Sequence, residues 1–415
     1  MTRAPTSVQC CVAGGGPAGM MLGLLLARAG LTVLVLEKHA DFLRDFRGDT
    51  IHPSTLEVMH ELGLLDGLLR LPHQEVRELA AQVGEVIVPV ADFTHLPTRC
   101  RFLVFMPQWD FLDFLAAAAA RYPGFSLRMQ TEVTGLLEES GRVVGVQVMT
   151  EAGPVTVRAD LVVAADGRHS LLRAQAGLHA EELGAPMDVL WFRLTRGRQD
   201  QGRTMGRFDA GQIFVMIDRG EYWQCGYVIP KGAYDRIREG GLPAFRERVA
   251  RLAPLVKERV GDLRTWDDVK LLTVRVDRLS QWYRPGLLCI GDAAHAMSPI
   301  GGVGINLAIQ DAVAAANILA EPLRRGSLAT EHLRQVQRRR EWPTRATQRL
   351  QMAVQNRVIA SVLGDSRPLT PPLAVRLLGR TPLLRRIPGR LVGIGIRPEH
   401  VTAAVPTGTP GRSPP

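Results

Sequence analysis

A glycine-rich turn between apolar segments is the feature that most constrains the fold of this chain. Residues 8–13 form an apolar run, residues 14–19 read GGGPAG, and residues 20–29 form a second apolar run of helical length. A third apolar run, 31–36, ends at Glu37. This order predicts a buried parallel strand, a tight turn, a helix and a second strand that ends in a carboxylate.

Each spaced glycine has its own physical role in a dinucleotide-binding turn. Gly14 permits the tight turn, Gly16 lets the backbone approach a pyrophosphate, and Gly19 lets the helix pack on the strand. The helix N-terminus offers free N–H groups to phosphate, and Glu37 is placed to bind ribose hydroxyls. Two alternatives stay open: a glycine-rich loop with no ligand, and a transmembrane segment, which the glycines and Arg28 argue against.

The composition is that of a globular protein with a basic surface. A chain of 415 residues can form two or three packed domains. The net charge of +10 suits nucleic acid, anionic lipid or an anionic cofactor, but no nucleic-acid-binding motif accompanies it. The five cysteines show no metal-ligand spacing. We see no signal peptide, no clean transmembrane segment and no internal repeats, and we expect a cytoplasmic protein.

Two further motifs place a carboxylate at the end of an apolar strand. The segment 160–173 delivers Asp166 and Gly167 into a turn, and the segment 287–312 places Asp292 directly after a strand. A carboxylate in this position can accept hydrogen bonds from a ribityl or ribose chain. The helix that follows can stabilise negative charge on a bound ring through its N-terminus. Either motif alone is also consistent with an ordinary turn or a helix cap.

Together the three motifs resemble those of the group A flavoprotein aromatic hydroxylases, the family of para-hydroxybenzoate hydroxylase. The likeness covers roughly residues 8–321. It implies FAD as the cofactor and NADPH or NADH as a transient electron donor. It also associates Asp166 and Gly167 with the binding of FAD and of the nicotinamide donor. The residues that the resemblance assigns to cofactor binding are Gly14, Gly16, Pro17, Ala18, Gly19, Glu37, Lys38, Arg47, Gln108, Val133, Asp166, Gly167, Asp292, Pro299, Gly304, Ile305 and Asn306.

The resemblance also implies a role for several of these residues. Arg47 would meet FAD near its phosphates, Gln108 would make a second polar contact, and the backbone at Val133 would lie against the adenine. Asp292 would bind the ribityl chain, and residues 304–306 would face the pyrimidine end of the isoalloxazine ring.

The implied fold class is α/β, with a Rossmann-like FAD-binding domain, an interleaved β-rich substrate domain and a C-terminal helical region. The expected boundaries are 1–75, 98–185 and 267–330 for the FAD-binding domain, 76–97 and 186–266 for the substrate domain, 331–405 for the helical region, and 406–415 for a disordered tail. Candidates for the wall of a substrate pocket, each of which could equally be core, are Phe192, Phe208, Phe214, Met216, Trp223 and Tyr227.

The activity that the resemblance implies is that of an FAD-dependent monooxygenase. Such an enzyme uses NAD(P)H and O₂ to hydroxylate an aromatic or polyketide-like small molecule through a flavin C4a-hydroperoxide. The sequence assigns no catalytic base, and we expect His295 to be structural.

Other functions of the same fold remain alternatives. One is a flavin reductase, oxidase or halogenase, although Gly226 and Tyr227 do not supply the second tryptophan of the halogenase element Trp-x-Trp-x-Ile-Pro. Another is a non-catalytic, flavin-bound accessory protein. The basic C-terminal region could contact a partner or the surface of a membrane.

Overall fold

The structure, a computed structural model, describes residues 7–43, 50–150, 153–197, 200, 204–364 and 369–403. Its strands are β1 Ser7–Ala13, β2 Val33–Leu36, β3 Thr50–Ile51, β4 Gln74–Val76, β5 Glu78–Val83, β6 Val86–Asp92, β7 Leu103–Phe105, β8 Phe125–Arg128, β9 Glu132–Glu139, β10 Arg142–Thr150, β11 Gly153–Ala164, β12 Ala180–Glu182, β13 Met187–Thr195, β14 Met205–Asp209, β15 Gln212–Asp218, β16 Tyr222–Pro230, β17 Lys270–Leu272, β18 Asp277–Leu279, β19 Tyr283–Arg284 and β20 Leu287–Cys289. Its α-helices are α1 Pro17–Arg28, α2 Pro53–Glu61, α3 Leu65–Leu69, α4 Gln108–Ala119, α5 Leu171–Gln175, α6 Tyr234–Glu239, α7 Leu242–Leu252, α8 Gly304–Arg324, α9 Thr330–Val354, α10 Ala360–Gly364, α11 Leu373–Arg380 and α12 Pro382–Gly393.

A parallel sheet lies at the centre of the protein. Its strands run in the order β20, β11, β1, β2, β8, and each neighbouring pair is parallel. Most of β1 and all of β2 are buried, as expected for parallel strands that are covered on both faces. Helix α1 packs against β2 and against α4 and α8. The predicted α/β fold with a parallel sheet is therefore confirmed.

The long strand β11 belongs to two layers of structure. Its first half pairs with β10 in an antiparallel hairpin that continues to β9. Its second half lies between β1 and β20 in the parallel sheet. One strand therefore carries the chain from an exposed hairpin into the buried centre, where it ends beside the glycine turn.

A second sheet contains seven strands in the order β17, β13, β16, β15, β14, β5, β6. Strands β5 and β6 come from the first quarter of the chain, and the other five lie between residues 187 and 272. This pairing agrees with the interleaved β-rich substrate domain that the family resemblance implies, although the domain boundaries remain a proposal.

The two faces of the second sheet separate residues that are adjacent in sequence. Phe192, Phe214, Trp223 and Tyr227 point to one face and form a core with Phe245 of α7. Four of the candidates for the pocket wall are therefore buried core, and Met216 packs against the same cluster. Trp191 points to the opposite face.

The C-terminal region is helical, as the sequence predicts. Helix α9 packs along α8, continues through a π-helical turn, Gln355–Ile359, and leads into α10. Helices α11 and α12 then pack on the edge strand β6. The predicted disordered tail, 406–415, lies outside the described residues.

One helical segment of the described chain, Ile300–Arg324, is long and apolar enough to cross a membrane. The fold buries 83% of its apolar window, however. We therefore assign this segment, which contains α8, to the protein core.

Candidate functional site: a cofactor cleft at the carboxyl ends of three parallel strands

The three sequence motifs lie side by side at one edge of the central sheet. Ala13 of β1 is in register with Ala164 of β11, and Ala164 is in register with Cys289 of β20. Because the strands are parallel and end together, the turns that follow them meet at the same edge. This is the position where ligands bind in open α/β sheets.

The geometry of the glycine turn agrees with the separate role expected for each glycine. Gly14 has a φ of +107°, and a Cβ there would lie 2.3 Å from the carbonyl oxygen of Ala165. A Cβ on Gly19 would lie 2.0 Å from the carbonyl oxygen of Gly14. A Cβ on Gly16, in contrast, would meet no atom within 4 Å. The turn is closed on the side of the protein and open in front of Gly16, where a pyrophosphate would lie.

The start of α1 leaves this open side electropositive. Pro17 is the first helical residue, Gly16 precedes it as the N-cap, and no side chain caps the helix. The first turn, which includes Ala18 and Gly19, contains no acidic residue. Its backbone N–H groups are therefore available to an anion.

Glu37 lies directly beside the glycine turn and is 9% exposed. Its carboxylate accepts hydrogen bonds from the backbone N–H of Gly15 at 3.0 Å and from that of His39 at 3.1 Å. The backbone N–H of Thr131 donates to the carbonyl of Glu37, and this hydrogen bond places the start of β9, which includes Val133, near the end of β2. Val133 is half-buried.

For two other predicted cofactor residues the structure gives only a position and an exposure, and a third is not described. Lys38 is exposed next to Glu37. Gln108 is the first residue of α4 and is half-buried. Arg47 lies outside the described residues.

Asp166 follows β11 and lies at the start of α5, a helix with a side-chain N-cap. Ser170 caps α5 by accepting a hydrogen bond from the backbone N–H of Arg173 at 3.0 Å. The Oδ2 atom of Asp166 accepts a long hydrogen bond, 3.4 Å, from the N–H of Leu172. Its Oδ1 atom is buried and has no hydrogen-bond partner among the described residues. Burial raises the pKa of this carboxyl group above its usual value.

Arginines of the second motif connect it to the third. Arg168 places Nη2 3.3 Å from Oδ2 of Asp292. Arg173 donates to the carbonyl oxygens of Ala293, at 3.3 Å, and Arg168, at 2.7 Å. The carboxylate of Asp292 is thereby held at the end of β20.

A buried polar network supports the third motif from behind. Asp311 of α8 accepts a hydrogen bond from the backbone N–H of Gly291 at 3.0 Å. It also lies 2.6 Å from Nε2 of His295 and 3.1 Å from Nε of Arg340. Burial alone would raise the pKa of Asp311, but its contacts with His295 and Arg340 lower it below its usual value. His295 is 1% exposed, which supports a structural role.

The loop that leads into α8 depends on two left-handed glycines. Gly301 has a φ of +76° and Gly302 a φ of +63°, and they follow Pro299. A Cβ on Gly302 would lie 3.0 Å from Oγ1 of Thr50. A Cβ on Gly304, at the start of α8, would meet nothing within 4 Å. The loop is thus packed on one side and open at the helix N-terminus.

Side chains at the start of α2 and a backbone carbonyl of the C-terminal region fix this loop. The buried amide oxygen of Asn306 accepts hydrogen bonds from the hydroxyls of Ser54 and Thr55, both at 2.8 Å. Its neighbour Ile305 is 6% exposed. His52 is fully buried, with Nε2 3.1 Å from the carbonyl oxygen of Gly302 and Nδ1 2.6 Å from that of Val392.

Glutamines of α9 hold the segment that precedes the loop. Gln348 donates to the carbonyl oxygens of Asp277 and Ala296, and Gln351 donates to those of Ser298 and Ile300, at 2.8–3.2 Å. The sequence shows these glutamines only as part of an Arg- and Gln-rich helix. Their buried role depends on contacts more than 50 residues distant in sequence, which periodicity cannot reveal.

FAD fits the residues that meet at this edge. The open space at Gly16 and the uncapped start of α1 suit a pyrophosphate, and Glu37 and Asp292 supply carboxylates for sugar hydroxyls. The buried Oδ1 of Asp166 and Nε of Arg168 have no hydrogen-bond partner among the described residues, so each can accept or donate a bond to a ligand.

Comparisons with known proteins agree with this cleft. The model of the FAD binding domain family matches residues 7–350. The chain is 36% identical over 386 residues to 6-methylpretetramide 4-monooxygenase of Streptomyces rimosus, and the match covers 92% of this chain and 91% of that protein. It is 29% identical to dialkyldecalin synthase of Streptomyces rugosporus, over 73% of this chain and 63% of that protein.

Solved structures show the same fold. The p-nitrophenol 4-monooxygenase of Pseudomonas putida superimposes with a TM-score of 0.75 at 20% identity, over 94% of this chain and all of that one. The family match, the relative at 36% identity and the cleft lead to one conclusion: the chain belongs to the FAD binding domain family of flavoprotein monooxygenases and is an FAD-dependent oxidoreductase.

Proposed function

We propose that this enzyme hydroxylates an aromatic or polyketide-like small molecule with O₂, using NADPH or NADH as the electron donor. The observation that carries the proposal is the meeting of the three motifs at the carboxyl ends of β1, β11 and β20. The substrate class follows from the Streptomyces rimosus relative, whose name gives it a 6-methylpretetramide substrate and which matches along nearly its whole length.

The residues of the first motif would bind the adenine half of FAD. The N-terminus of α1 and Gly16 would hold the pyrophosphate, and Glu37 would exchange its bond to Gly15 for the ribose hydroxyls. Arg47 and Gln108 would add polar contacts, and the backbone at Val133 would lie near the adenine.

The residues of the second and third motifs would bind the flavin half. Asp292 would accept hydrogen bonds from the ribityl chain, and Asp166, with Gly167, would line the same edge. The N-terminus of α8, from Gly304 to Asn306, would direct its positive dipole end at the pyrimidine side of the ring. Bound FAD would supply the redox chemistry, because flavin accepts hydride from a nicotinamide and reacts with O₂ when reduced.

The substrate would lie between this loop and the second sheet. The sheet face that carries Trp191 packs against Ile300 in the loop before α8. The indole of Trp191 also covers Gly226 of the neighbouring strand, where a Cβ would approach the ring to 3.0 Å. We therefore assign Trp191, and not Phe192 or Trp223, to the substrate side of the sheet.

The enzyme would work in the cytoplasm, where nicotinamide cofactors are supplied. All five cysteines are buried and unpaired, which agrees with a reducing compartment.

The proposal can be tested by anaerobic stopped-flow reduction followed by reaction with ¹⁸O₂. The purified, FAD-loaded protein is mixed with NADPH or NADH and with 6-methylpretetramide or simpler phenols, and the products are analysed by mass spectrometry. We expect faster flavin reduction in the presence of a substrate and one ¹⁸O atom in the product. Rapid consumption of NAD(P)H with no ¹⁸O in any organic product would favour a reductase or oxidase. The Gly16→Val variant serves as the control that lacks FAD.

A further inference from the structure

The last two helices carry a short repeat that is not evident at the scale of domains. Residues 373–380 read LAVRLLGR and residues 383–390 read LLRRIPGR. Both segments have leucine first, arginine fourth, leucine or isoleucine fifth, glycine seventh and arginine eighth.

The glycine of each repeat fixes the inner face of its helix. A Cβ on Gly379 would lie 2.9 Å from Cγ1 of Val88, and a Cβ on Gly389 would lie 2.1 Å from the carbonyl oxygen of Asp92. Val88 and Asp92 both belong to β6, so each repeat packs closely on the same edge strand. Because these contacts exclude any larger side chain, the helices cannot rotate without losing them.

The outer face of both helices is apolar and exposed. Leu373 is 84% exposed, Leu377 55%, Leu383 62% and Ile387 59%. In each helix the apolar pair is spaced by four residues, so that it forms a stripe along one side. Ile87 of β6, 62% exposed, lies on the strand that both helices cover.

Arginines alternate with these apolar side chains. Arg376 and Arg380 lie on the stripe of α11, and Arg386 and Arg390 lie on that of α12. Within the part of the chain that the structure describes, Arg376, Arg380 and Arg390 have no ion-pair partner. The segment 369–398 contains no aspartate or glutamate.

The chemistry of this surface points to a lipid. Exposed leucines interleaved with unpaired arginines on a helix that lies flat on its own protein are typical of helices that bind at a membrane interface. Arginine can extend its guanidinium to anionic headgroups while its methylene groups stay among apolar side chains. A protein partner would need a surface that is both strongly acidic and apolar.

We propose that the helix pair α11–α12 binds peripherally to membranes that contain anionic phospholipid. The leucines and Ile387 enter the interface, and the arginines contact phosphate and carboxylate groups of the lipids. The inference does not depend on the substrate or the reaction of the enzyme.

The test is flotation of the FAD-loaded full chain with vesicles of phosphatidylcholine alone or mixed with phosphatidylglycerol. We expect binding only to the anionic vesicles, and loss of binding at high salt. The double variant Leu377→Gln/Ile387→Gln should bind at least tenfold more weakly. Arg376→Gln should weaken binding about fivefold, since each basic residue near an anionic surface contributes about that factor. The matched controls, Leu271→Gln and Arg238→Gln, change exposed residues on the second sheet and α6 and should bind like the wild type.

Three results would overturn the proposal. One is the absence of any binding to anionic vesicles. Another is unchanged binding of the double variant, which would place the lipid contact elsewhere. The third is a concentration-dependent dimer, seen by light scattering, that the double variant abolishes while vesicle binding remains undetectable. In that case a second copy of the chain covers the surface.

Discussion

The guanidinium of Arg168 lies 3.3 Å from the carboxylate of Asp292, and this contact joins the second motif to the third. The two side chains are 20% and 33% exposed, so the pair contributes little to stability, on the order of 0–1 kcal/mol. Its role is to hold the carboxylate of Asp292 at the end of β20, in the position where a ribityl chain would lie.

The first prediction concerns this carboxylate. Asp292→Ala should weaken FAD binding about tenfold to a hundredfold, because a hydrogen bond to a charged group is lost. Its melting temperature without FAD should change little. Fluorescence titration of the apoprotein with FAD measures the affinity, and Arg168→Gln should show a smaller loss. Wild-type affinity in Asp292→Ala would remove Asp292 from the cofactor site.

The second prediction uses the open space at Gly16. Gly16→Val should fold normally, because a Cβ there meets no atom, but the added side chain should block the pyrophosphate and abolish yellow colour in the purified protein. Gly261→Val is the matched control, since Gly261 is equally open and lies far from the motifs in sequence. Gly19→Val should instead fail to fold, because its Cβ would overlap the carbonyl of Gly14. A yellow Gly16→Val protein would show that the turn does not hold FAD.

The third prediction compares two adjacent aromatic residues on β13. Trp191→Ala should raise the KM for the aromatic substrate about tenfold, and it should lower stability less than Phe192→Ala does, because Trp191 is only half-buried. Phe192→Ala should lower the free energy of unfolding by about 3–5 kcal/mol, because Phe192 is fully buried, with its ring centroid 5.6 Å from that of Phe245. Steady-state kinetics and urea unfolding separate the two effects. The opposite pattern would mean that the substrate lies on the α7 side of the sheet.

The fourth prediction concerns two arginines of α9. Arg340→Met should destabilise the protein by about 3–5 kcal/mol, because it leaves the fully buried Asp311 without its cation. Arg345→Met is the control on the same helix, since Arg345 is 46% exposed beside Glu341 and should contribute less than about 1 kcal/mol. Urea unfolding monitored by tryptophan fluorescence measures both. Equal stability of the two variants would contradict the structural role of the network.

The fifth prediction is a pH dependence of stability. Burial lowers the pKa of His52 below its usual 6.5, against the opposing effect of the carbonyls of Val392 and Gly302. The unfolded chain therefore binds a proton at a higher pH than the folded one, so the stability from neutral His52 is present above pH 6.5 and is lost as pH falls below it. His52→Gln should lower the melting temperature at pH 7 and should show a flatter decline between pH 7 and pH 5. Parallel wild-type and variant curves over this range would mean that His52 does not titrate there.

The placement of the candidate cofactor residues at one edge of the sheet could be predicted from the sequence because the three motifs are local patterns. The roles of Gly14, Gly16 and Gly19 depend on a turn of six residues, and the strand-end positions of Asp166 and Asp292 depend on short apolar runs. Each pattern specifies its own geometry, and parallel strands place the ends together.

The substrate half and the supports of the site could not be predicted in the same way. Strand register determines which face of the second sheet lies toward the loop before α8. The alternation of side chains along β13 alone therefore could not show whether Trp191 or Phe192 lies on that face. The contacts of Arg168 with Asp292 and of His52 with Val392 join residues 124 and 340 positions apart. No local pattern contains information about such pairs.

The large sequence separation between His52 and Val392 also affects when the enzyme can bind FAD during its synthesis. A ribosome delivers the N-terminus first, at about 5–20 residues per second, so roughly 20–70 s separate the emergence of His52 from that of Val392. Throughout that interval the nascent chain contains the glycine turn but lacks Val392, whose carbonyl contacts His52 beside the loop before α8. We therefore expect FAD to be captured only after Val392 has left the ribosome, and truncation before Val392 to leave a colourless protein even though every residue assigned to cofactor binding is present.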